Sequence, residues 1–165
     1  MSSRDIRRKY AQNYLKDPAV LFEMANCIKP KEADSFLEIG PGRGALTNQI
    51  NKLDVSIICV DIDTSNIDYM IDKFQGPANF KFINQDILNF ELPVIDSKLR
   101  IVGNLPYNIS TQIMIKFIDD FEKIEDMHFL VQKEVAQKVN GKISYIPHVV
   151  DKDKFKYAMK VDTNG

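Results

Sequence analysis

Short apolar segments alternate with segments of helical periodicity along most of this chain, and this alternation restricts the fold more than any other feature. The apolar segment Ser35–Ile39 predicts a short strand, and the β-branched run Val55–Val60 predicts a strand that is buried on both faces. Further strands are predicted at 80–83, 99–102 and 127–131, and most of the strands are followed by a helical pattern. Such alternation predicts an α/β protein with a parallel sheet covered by helices on both faces.

The predicted helices begin at residues with known positional preferences. Pro18 suits the first turn of a helix and predicts the start of the first one. Thr64 is expected to cap a helix that runs to about Phe74, and Ser110 to cap one that runs to about Phe121. Ligands of such sheets bind beyond the carboxyl ends of the strands. The loops that follow the strands are therefore where we expect the chemistry.

A chain of 165 residues is long enough for about one domain with a single hydrophobic core. Its longest apolar runs, such as Val55–Val60, fall far short of the roughly 18 residues that a membrane span needs. The first residues are charged, where a signal peptide would be apolar. The sequence therefore predicts a cytoplasmic protein with no membrane segment.

Side chains that often carry catalysis or bind metals are scarce. Cys27 falls in a helical pattern and Cys59 in an apolar strand, so both are expected to be packing residues. His128 lies inside an apolar strand, where a packed core histidine is the expected role. No Ser/His/Asp set and no pair of catalytic carboxylates has a usable spacing, and no metal is predicted.

The formal net charge of -1 conceals an uneven distribution. Residues 1–31 carry a net charge of +4, residues 32–138 carry -7 and residues 139–165 carry +2. Nucleic-acid binding usually leaves a basic surface, because it displaces counterions that are condensed on the phosphates. A basic cluster near the N-terminus is a candidate RNA-binding arm, with a solvated arm as the alternative. It consists of Arg4, Arg7, Arg8 and Lys9.

A glycine-rich turn follows the first predicted strand. Gly40, Gly42 and Gly44 let the backbone approach a ligand closely, and the helix after them would present its N-terminus. Asp61 lies about twenty residues further on, where nucleotide-binding folds of this kind place an acid on a pair of ribose hydroxyls. These residues indicate a cofactor that contains adenosine and leave its identity open. The alternative is that the glycines only form a turn and that Asp61 only precedes a helix.

A polar motif ends the fourth predicted strand: Gly103, Asn104, Leu105, Pro106 and Tyr107. An exocyclic amino nitrogen is a poor nucleophile while its lone pair is delocalised, so a catalyst has to accept its hydrogens and hold it in line with an electrophile. The side-chain carbonyl of Asn104 can do this together with a nearby backbone carbonyl. Pro106 fixes the turn, and Tyr107 offers a ring on which a flipped-out base can stack. The alternative is a loop selected for turn geometry alone.

Five blocks in a fixed order make the sequence similar to a known family. They are YAQNYL at 10–15, EIGPGRGALT at 38–47, QD at 85–86, GNLPYNIST at 103–111 and QKEVA at 132–136. Together they resemble the ribosomal RNA adenine dimethyltransferases, which use S-adenosylmethionine to convert adenosine to N6,N6-dimethyladenosine. The fourth and fifth blocks look more like the branch that modifies small-subunit (16S) RNA than the antibiotic-resistance branch that acts on the large subunit.

The resemblance implies the Rossmann-like fold of the class I S-adenosylmethionine-dependent methyltransferases. It implies S-adenosyl-L-methionine as cofactor, and ribosomal RNA or the small ribosomal subunit as the partner. We expect the chain itself to be a monomer. It assigns cofactor contacts to Asn13, Leu15, Gly40, Gly42, Asp61, Asp86 and Asn104. Asp61 would take the ribose hydroxyls and Asp86 the adenine amino group, while Asn13 and Leu15 would cover the methionine end. Catalysis would rest on Asn104, Leu105, Pro106 and Tyr107, in which Asn104 bridges the cofactor and the target base.

Residues 139–165 do not match the two further strands and the helical domain that follow in this family. The apolar residues at 143–150 could form one or two strands, but Pro147 would interrupt them. We therefore expect a methyltransferase core over residues 1–138 and an unassigned tail, with the last strands and the helical C-terminal domain missing or replaced. The apolar edge at 127–131 would then be exposed, and we expect Lys142–Val150 to cover it.

Three functions stay open from the sequence. The first is methyl transfer to the N6 atom of adenosine. The second is a non-catalytic module, acting in ribosome assembly or left as a gene remnant, that binds cofactor or RNA without turnover. The third is a nicotinamide-dependent oxidoreductase, which would need a catalytic Tyr/Lys or His pair that we do not find in the sequence.

Overall fold

The computed structural model describes residues 17–52, 54–75, 79–105, 109–132, 144–151 and 156–162. The helices in these ranges are α1 (Pro18–Ile28), α2 (Ala45–Ile50), α3 (Thr64–Lys73) and α4 (Ser110–Ile118). The strands are β1 (Ser35–Ile39), β2 (Ser56–Asp61), β3 (Phe80–Asn84), β4 (Leu99–Asn104), β5 (Ile124–Gln132), β6 (Ser144–Asp151) and β7 (Lys156–Asp162). Short 3₁₀ turns at Ile87–Asn89 and Phe121–Lys123 precede β4 and β5.

One 7-stranded sheet contains all these strands, in the order β3-β2-β1-β4-β5-β7-β6. Strands β1 to β5 are parallel, and β7 is antiparallel to both β5 and β6. The predicted parallel α/β sheet is thereby confirmed. The strand order reverses between β1 and β4. The loops after these two strands therefore lie at the position where ligands of doubly wound sheets bind.

Apolar side chains cover both faces of the parallel strands β1 to β5. One buried cluster joins strand residues such as Leu37 to Phe117 of α4. The other joins strand residues such as Phe36 to α1, to Leu46 of α2 and to Met70 of α3. Adjacent residues of a strand point to opposite faces, and for this reason Phe36 and Leu37 belong to different clusters. Strands buried on both faces therefore read as continuous apolar runs.

Two helix starts differ from the sequence predictions. Asp63 and not Thr64 is the N-cap of α3, and its carboxylate accepts a hydrogen bond from the N–H of Ser65 at 3.0 Å. Ile109 occupies the N-cap position of α4, so Ser110 is the first residue of that helix rather than its cap. Helix α4 also ends earlier than predicted, because the chain enters the second 3₁₀ turn. Asp and Thr are both good caps, and sequence alone does not choose between neighbours of this kind.

Strands β6 and β7 follow β5, and β6 lies where the apolar pattern at 143–150 allowed one or two strands. Strand β7 pairs with β5, and β6 pairs with the other side of β7. The prediction that Lys142–Val150 covers β5 is therefore corrected: residues 156–162 cover it, and β6 lies one strand further out. Residues 142 and 143 are outside the described ranges. Pro147 is compatible with β6 because that strand is at the edge of the sheet, where a missing N–H is tolerated.

A buried ion cluster joins α1 to the amino-terminal half of the sheet. Arg100 donates to both carboxylate oxygens of Asp126, at 2.9 Å and 3.1 Å, and to Asp34 at 2.8 Å. Its guanidinium group also donates to two carbonyl oxygens at the end of α1. His128 is buried as predicted and lies 3.1 Å from Asp126. Burial alone would raise the pKa of Asp126, but hydrogen bonds with His128 and Arg100 hold it well below its ordinary value.

Candidate functional site

Several loops and strand ends converge at the carboxyl edge of the parallel strands. The N–H of Gly40, the first residue after β1, donates to a β2 carbonyl at 2.9 Å. On the other side of β1, Ile39 pairs with Gly103 of β4. The N–H of Gln85, just after β3, donates to the carbonyl of Asp61 at 3.1 Å. This edge therefore carries five of the predicted site residues, namely Gly40, Gly42, Asp61, Asp86 and Asn104.

The turn after β1, residues 40–44, is called the glycine loop below. Gly40, Gly42 and Gly44 have φ angles of 62°, 58° and 85°, in the left-handed region that favours glycine. A Cβ atom added at Gly40 or Gly42 would meet nothing within 4 Å, so this side of the loop borders open space. At Gly44 it would lie 2.8 Å from the ring of Phe74 and 2.9 Å from the sulfur of Met70. The loop is thus open to a ligand on one side and packed against α3 on the other.

Asp61 is the last residue of β2 and is 8% exposed. Its carboxylate accepts from the N–H of Asp63 at 2.9 Å, from the amide of Asn66 at 3.2 Å and, at a long 3.4 Å, from the N–H of Gly42. Burial raises the pKa of Asp61, and these hydrogen bonds oppose that effect. A carboxylate has about four acceptor positions. The group therefore ties the glycine loop to the start of α3 and keeps an acceptor position for a hydroxyl donor.

Asp86 follows β3 and caps the first 3₁₀ turn, with its carboxylate accepting from the N–H of Leu88 at 3.0 Å. The group keeps further acceptor positions for an amino donor. Ile62 directly follows Asp61 and is 68% exposed, although it is apolar. An exposed apolar side chain beside acceptor carboxylates suits the face of a flat heterocycle. Ile62 was not among the predicted site residues, and its position between two aspartates was the available signal.

Asn104 ends β4 and is 6% exposed. Its position depends on Gly103, where an added Cβ atom would lie 2.8 Å from the carbonyl oxygen of Ile39. Only glycine therefore permits this close approach of β1 and β4. The next residue, Leu105, is buried and donates its N–H to the carbonyl of Leu130 in β5 at 3.2 Å. Asn104 is consequently held at the carboxyl edge between β1 and β5.

Glu38 and Thr47 form a buried pair that the sequence analysis did not single out. Glu38 lies in β1 with 1% of its surface exposed, and Thr47 of α2 donates its hydroxyl hydrogen to the Glu38 carboxyl group. Burial raises the pKa of Glu38 to about 7, the hydrogen bond from Thr47 opposes this, and the charge of Asp61 adds to it. The signal was an acidic residue inside an apolar strand, which is rarely buried without a partner.

Other predicted site residues lie outside the described residues, and their roles stay predictions. They are the basic residues Arg4, Arg7, Arg8 and Lys9, the cofactor residues Asn13 and Leu15, and the motif residues Pro106 and Tyr107. Within the described ranges, no group of three or more His, Cys, Asp or Glu side chains is arranged to hold a metal ion. None of the helices in that part of the chain has the length and apolar character needed to cross a bilayer.

The strand order, with an antiparallel β7 between β5 and β6, and the glycine loop after β1 define a class I S-adenosylmethionine-dependent methyltransferase fold of the Rossmann-like type. Solved structures share it. The 23S rRNA methyltransferase ErmE superposes with a TM-score of 0.72 at 22% identity, covering 88% of this chain and 68% of that one. A dimethyladenosine transferase from Plasmodium falciparum gives 0.74 at 21% identity, covering 88% and 62%. Identities this low establish the fold alone.

The sequence comparisons identify the family. The family described as Ribosomal RNA adenine dimethylase matches residues 3–146, and this chain belongs to it, as predicted. The chain is 44% identical over 137 residues to Ribosomal RNA small subunit methyltransferase A of Wigglesworthia glossinidia brevipalpis, and 40% identical over 135 residues to that of Marinobacter nauticus. These matches cover 80% and 81% of this chain, and 52% and 49% of the relatives. The chain thus spans about half the length of the curated relatives it matches.

Proposed function

We propose that this protein transfers methyl groups from S-adenosylmethionine to the N6 amino group of adenosine in small-subunit (16S) ribosomal RNA, giving N6,N6-dimethyladenosine. The family and the names of the similar proteins support this reaction and this substrate. The observation that carries the proposal is the convergence of the glycine loop, Asp61, Asp86 and Asn104 at one edge of the sheet.

The described residues suit S-adenosylmethionine in three respects. The open space beside Gly40 and Gly42 admits a ligand against the backbone of the glycine loop. Asp61 keeps an acceptor position for the ribose hydroxyls. Asp86 can accept from the adenine amino group while the exposed Ile62 packs against the ring. Asn13 and Leu15 are proposed to cover the methionine end.

When bound, S-adenosylmethionine supplies an electrophilic methyl group on a positively charged sulfur. Asn104 is proposed to accept a hydrogen bond from the target amino group, which localises the lone pair on nitrogen and fixes its direction. The buried position of Asn104 strengthens this bond, because water competes less there. Pro106 would shape the turn and Tyr107 would stack on the flipped-out base. The methylated nitrogen would then release its extra proton to water. The chain therefore acts by positioning and electrostatic orientation rather than through a strong base.

A nicotinamide-dependent oxidoreductase suits this structure less well. The common dinucleotide-binding sheet has the strand order 3-2-1-4-5-6. Here the antiparallel β7 is inserted between β5 and β6. The family match also favours methyl transfer over hydride transfer.

The test is to incubate the purified chain with S-adenosylmethionine tritiated in its methyl group and small ribosomal subunits that lack the modification. We expect tritium in the RNA, and digestion to nucleosides should assign it to N6-methylated adenosine. Large ribosomal subunits serve as the matched control and should stay unlabelled. Cofactor binding without incorporation would contradict turnover and would instead support a binding module.

A further inference from the structure

We propose that helix α3 holds the glycine loop in its ligand-binding conformation through Lys73 and Tyr69, which act as positioning residues for the cofactor. The inference rests on the proposed function, because it concerns the loop at which we place S-adenosylmethionine. Both residues contact the loop at Arg43, and neither belongs to the site described above.

Lys73 restrains the backbone of the loop directly. Its Nζ atom, in the last turn of α3, donates to the carbonyl oxygen of Arg43 at 2.9 Å. Arg43 lies between Gly42 and Gly44, which both have left-handed φ angles. Glycine has more accessible backbone conformations than any other residue. The bond from Lys73 therefore acts on the most adaptable part of the loop.

Tyr69 restrains the Arg43 side chain. The guanidinium carbon of Arg43 lies 4.7 Å from the centre of the Tyr69 ring, and the ammonium group of Lys73 lies 5.8 Å from the same centre. Cations at such distances are attracted by the negative face of an aromatic ring. Tyr69 is 39% exposed, so its ring is not held by burial in the core alone. Its contacts with the two cations fix Arg43 against α3.

Strand β2 and helix α3, together called the β2–α3 unit, also hold the neighbouring residues of the glycine loop. Gly44 packs so closely on Met70 and Phe74 that no larger residue fits without displacement. Gly42 donates its N–H to Asp61, at the end of β2. Residues 42, 43 and 44 therefore each contact this unit, through a hydrogen bond, a cation–ring contact or close packing.

Such restraint matters because a ligand binds only the competent conformation of a loop. The apparent affinity falls in proportion to the fraction of molecules in which that conformation is populated. Contacts from α3 raise this fraction without touching the ligand. Their loss should weaken binding and leave the rate at saturating cofactor unchanged, because the bound loop has the same geometry.

The first test measures binding of S-adenosylmethionine by titration calorimetry. Lys73→Met should weaken the affinity by about five-fold, the effect of one partly exposed hydrogen bond. Lys73→Arg keeps a donor and should restore most of the affinity. Tyr69→Leu should weaken binding where Tyr69→Phe does not, because only the ring is needed. Lys81→Met, at an exposed position of β3, is the matched control and should bind like the unmodified chain.

The second test needs no ligand. The N–H of Gly44 donates to the carbonyl of Pro41 at 2.9 Å, within the glycine loop. In Lys73→Met this amide should exchange with deuterium about five-fold faster than in the unmodified chain, while the core amides of β1 keep their rates.

The proposal would be overturned by unchanged Gly44 exchange in Lys73→Met, or by equal affinity in that variant and the unmodified chain. A failure of the proposed function looks different: the unmodified chain itself would then not bind S-adenosylmethionine, or would bind it without labelling the RNA. In activity assays, the Michaelis constant for the cofactor should rise in Lys73→Met with the turnover number retained. A fall in the turnover number alone would also contradict the positioning role.

Discussion

Thr47 donates its hydroxyl hydrogen to the carboxyl group of Glu38, and this bond joins β1 to α2 across the glycine loop. The two side chains are buried, with 0% and 1% of their surface exposed. Burial disfavours the charged form of a carboxyl group, and this raises the pKa of Glu38 to about 7. Protonation of Glu38 is therefore linked to the stability of the fold.

We expect Glu38 to make the free energy of unfolding fall as pH rises from about 4.5 to about 7. In this window the folded chain keeps a proton that the unfolded chain has lost, since the pKa of Glu38 is about 7 in the folded chain and has its ordinary value of 4.5 in the unfolded chain. The stabilisation by protonated Glu38 is fully present at a pH below the pKa of the unfolded chain, and it is lost as the pH rises through the pKa of the folded chain. Its size is about 3 kcal/mol. Urea unfolding at several pH values measures it.

Glu38→Gln should remove this pH dependence, because glutamine still accepts the Thr47 hydroxyl and does not titrate. Glu91→Gln changes an exposed residue of the same type and should keep the dependence of the unmodified chain. If Glu38→Gln and the unmodified chain showed the same pH profile, Glu38 would not be the buried titrating group.

Asn104→Ala should abolish methyl transfer with little loss of folding. Removing a group that orients the reacting atoms typically costs about 100-fold or more in rate. The assay follows tritium transfer to small ribosomal subunits, with thermal unfolding of the same samples as the check on folding. Asn48→Ala, on an exposed position of α2, is the matched control and should keep its activity. Preserved activity in Asn104→Ala would mean that the role given to Asn104 is wrong.

Asp61→Asn should weaken the binding of S-adenosylmethionine by about ten-fold or more, because a hydrogen bond to a charged acceptor is stronger than one to a neutral acceptor. Calorimetric titration measures the change. Asp68→Asn removes an exposed carboxylate of α3 and should leave the affinity unaltered. Equal affinity in Asp61→Asn and the unmodified chain would show that the ribose hydroxyls do not contact this residue.

Arg100→Met should lower the free energy of unfolding by about 3 kcal/mol, because it leaves Asp34 and Asp126 in a poorly solvated place without their cation. Cofactor affinity should not change, since the ion cluster lies towards the amino ends of the strands. Urea unfolding and cofactor titration of one preparation test both statements. Lys98→Met, at an exposed position just before β4, should leave stability within about 0.5 kcal/mol. A similar loss in both variants would argue against the buried cluster.

Neutralising the basic arm should weaken RNA binding and reduce its salt dependence. Each phosphate contact contributes roughly 0.7 to 0.9 to the slope of log affinity against log salt. The variant replaces four residues by glutamine: Arg4, Arg7, Arg8 and Lys9. The control replaces four lysines at exposed positions: Lys52, Lys81, Lys98 and Lys123. An unchanged salt slope in the arm variant would support a solvated arm instead.

The parallel strands were predictable because strands buried on both faces appear as apolar runs. Strand β1 has the bounds that its apolar run predicts. Strand β5 begins at Ile124, before the predicted start at Met127. The difference arises because its first residues include Glu125 and Asp126, and Asp126 is stabilised by Arg100 from the neighbouring strand. The sequence does not show that partner.

The last strands were less predictable. Antiparallel strands near the edge of a sheet do not need apolar residues on both faces, so their sequences lack the continuous run. Strand β7, for example, combines Lys156, Lys160 and Asp162 with apolar residues. Pro147 inside β6 argued against a strand, but an edge strand tolerates it.

The candidate site was predictable where it depends on local motifs, and not where it depends on tertiary contacts. Gly40, Asp61 and Asn104 each follow or end a strand, which places them at the carboxyl edge. The contact between Lys73 and Arg43 joins residues 30 positions apart. No local pattern marks such a pair, because it forms only when α3 packs beside the glycine loop.

Titration of S-adenosylmethionine into the unmodified chain, with NAD in a parallel titration, tests the central claim most directly. Both ligands contain adenosine, so Asp61 and Asp86 alone do not distinguish them. The other residues of the site must therefore discriminate between the two ligands. We predict saturable, stoichiometric binding of S-adenosylmethionine and no measurable heat from NAD. Saturable binding of NAD with no binding of S-adenosylmethionine would contradict the account and would favour the oxidoreductase reading.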